Sequence, residues 1–95
     1  MLTSVKLKNQ LLAIDPQLIV ELRRASVNGV TMGCDGFVTN PVNGKVVYVS
    51  TDNNHGLNSK SLYRTAKNIK DYTGGPNMFA EYSDTAQAIV NLLNK

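Results

Sequence analysis

The chain has little of several residue types on which many protein functions depend. Its 95 residues include one cysteine, one histidine and no tryptophan. The single cysteine, Cys34, cannot form an internal disulfide and cannot supply a zinc site by itself. This sparse cysteine usage favours a reducing, cytoplasmic compartment, in which Cys34 is expected to be a small, buried, apolar residue.

Long apolar runs are absent as well. No segment approaches the ~20 apolar residues of a membrane-spanning helix. Near the N-terminus, Lys6 and Lys8 are followed only by the short apolar run 11–14, which ends at Asp15. We therefore expect neither a signal peptide nor an anchor, and no membrane as a partner.

Charge and size leave a wide choice of partner. Charged residues make up 18% of the chain, its net charge is +3, and its isoelectric point is near 9.2. A mildly basic protein can contact nucleic acid or an acidic protein surface, but this charge requires neither. With 42% hydrophobic residues, the chain is expected to form a single globular domain over residues 1–95. A chain this small is also compatible with a homo-oligomer.

The N-terminal third is predicted to be helical. Asp15 followed by Pro16 is typical of a helix start, because aspartate caps the first turn and proline at the first helical position loses no hydrogen bond. The apolar spacing of Leu18, Leu22 and Ala25 then predicts an amphipathic helix over residues 16–26, ending at Asn28-Gly29. The preceding segment, residues 4–13, fits a helix or a strand.

The middle of the chain is predicted to be β-structure. Asp35-Gly36 and Asn43-Gly44 are typical of tight hairpin turns, since both central positions of such a turn need positive φ. We expect residues 37–50 to form an antiparallel hairpin. Residues 46–49 have no polar side, which favours a central strand covered on both faces, with Val47 and Val49 deeply buried.

The C-terminal half is predicted to alternate helix and strand. A polar loop over residues 51–59 leads to a helix that Asn58 or Ser59 caps and that runs to about residue 72, where Gly74-Gly75-Pro76 ends it. Residues 77–82 alternate as a strand does. Ser83 or Asp84 then caps a last helix, in which Asp84 and Gln87 form a capping box.

These elements together predict an α+β fold. Two strands separated by a helix would be parallel and joined by a right-handed crossover. The expected architecture is a small mixed sheet of three or four strands, a β meander plus one strand, with two to four helices packed against it.

The main functional prediction concerns the helix placed at residues 59–72. Lys60, Arg64 and Lys67 recur at helical spacing, and Lys70 extends the same basic surface. Such a face suits a phosphate backbone, which lysine and arginine neutralise with little geometric demand, and it equally suits an acidic protein surface. The alternative is that these residues only solvate the helix, because Lys67 and Lys70 suit a helix C-terminus electrostatically.

A second candidate site lies in two loops. Asp52 and His55 would follow one strand, and Asp84 would follow its parallel neighbour, so the three side chains could meet as an acid/base or metal-binding group. Each has a simpler explanation, since aspartate forms turns and caps and a loop histidine is commonly solvated. We predict no metal site from these residues.

No cofactor motif is present. Gly29, Gly33 and Gly36 match neither a dinucleotide-binding nor a P-loop pattern, and Cys34 lacks a nearby histidine that would activate it as a nucleophile. We therefore predict a non-enzymatic binding or regulatory module without a cofactor, of a size often encoded by phages and other mobile elements. It would act through the basic helix on nucleic acid or an acidic protein surface. The alternative is a small enzyme or ligand-binding domain that uses Asp52, His55 and Asp84.

Overall fold

The computed structural model describes residues 2–27, 29–51, 59–72 and 74–95, without the side chains of residues 25–27 and 30–32. Within these ranges the chain forms two α-helices and five strands. In chain order they are α1 (Ser4–Ile14), β1 (Ile19–Val27), β2 (Val30–Thr39), β3 (Val46–Ser50), β4 (Lys60–Ala66), β5 (Met78–Glu81) and α2 (Thr85–Leu93), with a 3₁₀ turn at Tyr82–Asp84 before α2.

The strands form one sheet in the order β1-β2-β3-β4-β5, and every neighbouring pair is antiparallel. The predicted α+β class is confirmed. The predicted parallel pair and its crossover are wrong, because residues 60–66, expected in the crossover helix, form strand β4 and pair antiparallel with both neighbours. The sheet consequently has five strands where three or four were expected.

Both helices pack against the same face of the sheet, which we call the helix face. Val38 and Val47 are neighbours across β2 and β3 on this face, and they are almost completely buried against the helices. The opposite face, called the open face, carries a row in which Phe37 pairs with Tyr48 and Tyr48 with Arg64. The core on the helix face comprises Leu2, Leu7, Leu11, Leu18, Cys34, Val38, Val47, Val49, Ala86, Ile89, Val90 and Leu93.

The hairpin prediction for residues 37–50 is confirmed. β3 lies in the centre of the sheet and all five of its residues are buried, with Val47 at 1% and Val49 at 0% exposure. A strand flanked by two others and covered on both faces has no solvated side, which is why its sequence lacks polar alternation.

The segment 4–13, which fitted a helix or a strand, lies within α1. The Thr3 hydroxyl accepts a hydrogen bond from the backbone N–H of Lys6 and so caps the helix. Leu7 and Leu11 are four residues apart and both fully buried, so one face of α1 contributes to the core.

The predicted helix over residues 16–26 is wrong, because most of this segment is strand β1. Asp15 ends α1: its N–H donates to the carbonyl of Leu11, and its carboxylate accepts the N–H of Gln17. Asp-Pro therefore forms the turn after a helix. The segment that follows alternates charged Glu21 with apolar Leu22, a period of two that suits a half-buried strand better than a helix.

The predicted tight turn at Asp35-Gly36 is also wrong, since both residues lie inside β2. Gly36 has φ of 152°, and a Cβ there would overlap the carbonyl oxygen of Glu21 in β1. The glycine lets two strands approach closely instead of reversing the chain.

The turn predicted at Asn43-Gly44 is confirmed in place but is larger than two residues. The carbonyl of Asn40 accepts the N–H of Gly44, which has φ of 75°, and the N–H of Asn40 donates to Lys45. The side-chain amide of Asn43 donates to the carbonyl of Leu93 at 2.9 Å. This turn therefore also satisfies the C-terminal end of α2.

The helix predicted over residues 59–72 is wrong: the segment forms β4 and then an irregular connection. Ser61 is buried toward α2, where its hydroxyl lies 2.7 Å from that of Thr85, whereas Leu62 is buried on the open face. This alternation, with Tyr63 and Thr65 as good strand formers, outweighs the helical spacing of the lysines.

The last strand and last helix are confirmed. β5 covers Met78–Glu81 within the predicted 77–82, and α2 begins at Thr85. The capping box is wrong, because the Asp84 side chain makes no capping hydrogen bond and Gln87 bonds to Asn91. The 3₁₀ turn before α2 places the Thr85 hydroxyl on the Glu81 carbonyl instead.

Candidate functional site

The four predicted partner-binding residues do not form one face. Lys60 and Arg64 lie on the open face of β4, whereas Lys67 and Lys70 follow the strand. Lys60 is exposed and its amine is 4.0 Å from the carboxylate of Glu81. Lys67 and Lys70 are exposed as well. The helical spacing that joined the four residues disappears when the segment is a strand.

Arg64 has a structural role on the open face. Its guanidinium lies 4.5 Å from the centre of the Tyr48 ring and donates to the Tyr72 carbonyl and to the Asn77 side chain. Tyr72 and Asn77 both belong to the connection between β4 and β5. Arg64 therefore holds this connection against the sheet. Its side chain is half-buried, and its guanidinium is used for contacts within the fold.

Aromatic rings complete the same attachment. The ring of Tyr72 lies 5.2 Å from that of Phe37 and 5.7 Å from that of Tyr48, near edge-to-face in both cases. Phe37 and Tyr48 are only 4% and 6% exposed. Their burial means that these two rings are not free to stack on a ligand.

We expect replacement of Arg64 by alanine to cost about 1–3 kcal/mol of unfolding free energy, because a cation–π contact and two hydrogen bonds are lost. Lysine should recover little of it, since its ammonium lacks the planar fork that reaches Tyr72 and Asn77 together. Urea denaturation measures both effects. The control is Lys60→Ala on the same strand face, expected to change stability by about 0.5 kcal/mol or less. Equal losses for the two alanine variants would contradict a structural role for Arg64.

The second candidate group is only partly described. Asp52 and His55 lie outside the described residues, so their meeting with Asp84 stays a prediction. Asp84 is exposed at the start of α2. Among the described residues no three histidine, cysteine, aspartate or glutamate side chains are grouped to hold a metal ion.

Cys34 is fully buried, as predicted. The hydroxyl of Thr51 accepts the Cys34 backbone N–H at 2.9 Å and donates to the carbonyl of Leu2 at 2.8 Å. Burial raises the pKa of the Cys34 thiol, more than the Thr51 hydroxyl lowers it. A buried thiol that is protonated at neutral pH is a poor nucleophile.

Two adjoining clefts lie where β4 ends. Both are lined by Thr65 and Ala66. The first, which we call the lysine cleft, has a volume of about 340 Å³ and is lined by Lys45, Val46, Val47, Thr65, Ala66, Leu92 and Lys95. The second, of about 350 Å³, is lined by Thr65, Ala66, Lys67, Asp71, Gly74 and Gly75.

Sheet register and helix docking bring the lysines to this end of the molecule. Val46 pairs with Ala66, so Lys45, which precedes Val46, and Lys67, which follows Ala66, lie at the same end of β3 and β4. The β2–β3 turn holds the end of α2 beside them through bonds from Asn40 to Asn94 and from Asn43 to Leu93. That contact places Lys95 at the cleft.

Ion pairs do little to balance the positive charge around the lysine cleft. Among the described residues, ion pairs within 4.0 Å join Arg23 to Asp35 and Lys60 to Glu81, so none involves a lysine of the clefts. Asp71 lies in the second cleft, where its carboxylate accepts the backbone N–H of Lys67. The negative end of α2 offsets part of the positive charge of Lys95.

Lys45 and Lys95 were missed in the sequence because they lie far apart along it. The available signal was the Asn43-Gly44 turn, which places Lys45 at the start of the next strand. That signal becomes informative only when β4 is recognised as the neighbour of β3, since Lys67 then lies at the same end of the sheet.

Neither α1 nor α2, the helices of the described residues, has the length and apolar character needed to cross a bilayer. Comparison of the chain with protein-family models, with curated protein sequences and with solved structures gives no match.

Proposed function

We propose that the protein is a non-enzymatic binding module that takes an acidic segment of another protein at the lysine cleft. The observation that carries the proposal is an apolar cleft whose rim holds Lys45 and Lys95, with Lys67 in the adjoining cleft. An apolar side chain of the partner would enter the cleft while neighbouring carboxylates meet the ammonium groups.

The size and lining of the cleft support this kind of ligand. A volume of about 340 Å³ is at the small end of the range for ligand sites, which suits one side chain better than a large cofactor. Val46, Ala66 and Leu92 supply apolar walls. Long lysine side chains cover apolar surface with their stems and keep their charge in water, so they suit the rim of such a cleft.

The same lining favours protein over nucleic acid. Within the described part of the chain, no aromatic side chain and no arginine lines the lysine cleft. Nucleic-acid sites commonly add base stacking on aromatic rings and bidentate arginine contacts with phosphate. On the open face, Phe37 and Tyr48 are buried beneath Tyr72 and Arg64. These two rings are therefore not available for stacking with bases.

The test uses a fluorescein-labelled peptide of glutamates with interspersed leucines, and a matched peptide with serine in place of leucine. Wild-type protein should bind the leucine peptide more tightly in fluorescence anisotropy. The double reversal Lys45→Glu and Lys67→Glu should weaken binding by about tenfold or more, since it turns attraction into repulsion. The matched control is Lys6→Glu with Lys8→Glu, which changes the net charge equally on exposed positions of α1.

Three results would overturn the proposal. One is equal affinity for the leucine and serine peptides, which would show that the cleft does not take part in binding. Another is an equal loss of affinity in both double variants, which would mean that binding depends only on the net charge of the protein. The third is tighter binding of single-stranded DNA than of either peptide with a steep salt dependence, which would favour nucleic acid as the partner.

A further inference from the structure

The outer edge of β1 is the longer of the two free edges of the sheet. β1 spans nine residues, Ile19–Val27, whereas the opposite edge strand β5 spans four. None of the described residues pairs with the outer side of β1. A long edge strand without proline presents backbone donors and acceptors to any strand that can approach it.

Apolar side chains border this edge on both faces. On the helix face, a groove of about 260 Å³ between α1 and β1 is lined by Val5, Val20 and Leu22 together with Ser4, Lys8 and Glu21. Val5 is 66% exposed, and Ile19, on the open face, is 45% exposed. A partner strand would bury both apolar groups while it paired with the backbone.

The charges along the edge indicate which kind of strand can pair with it. Glu21 and Arg23 point to the open face two residues apart, and both are exposed. Arg23 bonds to Asp35 in β2 at 2.7 Å, while the neighbour of Glu21 in β2 is the apolar Phe37. The edge therefore carries one negative and one positive side chain on either side of Leu22.

We propose that a second copy of the chain pairs with this edge, antiparallel and centred on Leu22. A two-fold axis perpendicular to the sheet then places Glu21 opposite Arg23 of the second copy, and Arg23 opposite its Glu21. The two sheets join into one of ten strands with all helices on one side. Opposite charges directly across neighbouring strands stabilise their pairing.

The neighbouring registers lack this complementarity. An axis at Glu21 places the two glutamates opposite each other, and an axis at Arg23 does the same for the two arginines. An axis at Val20 leaves both charges opposite uncharged residues. An axis at Arg24 does the same and also places the two Arg24 side chains opposite each other. Like charges directly across strands are destabilising, so the Leu22 register is the one that the sequence of the edge favours.

The test is sedimentation equilibrium of the whole chain from low micromolar to near-millimolar concentration. Wild-type protein should reach a mass near twice the 10.4 kDa of one chain. Glu21→Arg and Arg23→Glu should each remain monomeric, since in either variant both pairs between positions 21 and 23 become like-charged. An equimolar mixture of the two variants should regain the dimer mass, because each opposes the charges of the other. Glu81→Arg, on the opposite edge, should dimerise as the wild type does.

The proposal is overturned if the wild type stays monomeric over the whole range, or if Glu21→Arg dimerises unchanged. It is also overturned if both variants are folded by circular dichroism and their mixture stays monomeric. If Arg23→Glu fails to fold, Arg23→Gln mixed with wild type should dimerise more weakly than the wild type alone. Equal dimerisation would then refute the charge register.

Discussion

Replacement of Gly36 by alanine is expected to destabilise the fold by about 3–5 kcal/mol, because a steric clash adds to backbone strain. The new Cβ would overlap the carbonyl oxygen of Glu21 and lie 2.9 Å from the Cα of Leu22. Both are backbone atoms of the paired strand β1, so no rotamer change relieves the contact. A domain with a typical stability of about 5–15 kcal/mol would lose a large part of it.

Urea denaturation of Gly36→Ala gives this loss directly. The control is Gly44→Ala, at φ of 75° with no atom within 4 Å of the added Cβ. That variant has backbone strain alone, about 1–2 kcal/mol. If the two variants lose the same free energy, the close approach of β1 and β2 at Gly36 does not limit stability, and the assigned register of β1 would need revision.

The second large effect is expected at Thr51, a fully buried residue directly after β3. Its hydroxyl accepts a hydrogen bond from the Cys34 N–H and donates one to the Leu2 carbonyl, and both of these residues are buried. Valine has nearly the same shape but no hydroxyl, so Thr51→Val leaves both groups without that partner. We expect a loss of about 2–4 kcal/mol, from about 1–3 kcal/mol for each unsatisfied buried group.

Serine at the same position separates hydrogen bonding from packing. Thr51→Ser keeps the hydroxyl and removes one methyl group, which should cost about 1 kcal/mol. The informative quantity is the difference between the two variants in thermal or urea unfolding. A serine variant as unstable as the valine variant would mean that packing of the methyl group, and not the hydroxyl, holds this site.

The sequence predicts the centre of this fold better than its flanks. In β3, residues 46–49 are apolar throughout, and burial on both faces leaves no other arrangement, so the prediction holds. In β1 and β4 the spacing of a few apolar or basic residues matched a helix as well as a strand. The pairing energy of a neighbouring strand decides such cases, and that energy is not local in the sequence.

Turn signals failed for a related reason. Asp35-Gly36 and Asn43-Gly44 are equivalent as dipeptides, yet only the second reverses the chain. What distinguishes them is the neighbour: Gly36 lies against the backbone of β1, whereas Gly44 is exposed beside the end of α2. A glycine required for close approach and a glycine required for positive φ look alike until the tertiary contacts are known.

The candidate site is likewise predictable only where its residues are recognisable from local sequence. The sequence indicates Lys67, which does line a cleft, but helical spacing groups it with residues that lie elsewhere in the fold. Arg64 proves to belong to the packing of the β4–β5 connection. Lys45 reaches the same end of the sheet through pairing between β3 and β4, and Lys95 through docking of α2.

The meander has a consequence for how the chain reaches this structure. Every strand pairs with its neighbour in sequence, and the paired residues lie no more than 21 positions apart along the chain. Contacts of the helices join more distant segments, such as Asn43 with Leu93. The packing of α1 on α2 joins segments 71 or more residues apart and carries the greatest loop-closure entropy. Short-range pairing favours rapid folding of the sheet. We therefore expect the helices to pack against each other only after the sheet has brought the ends of the chain together.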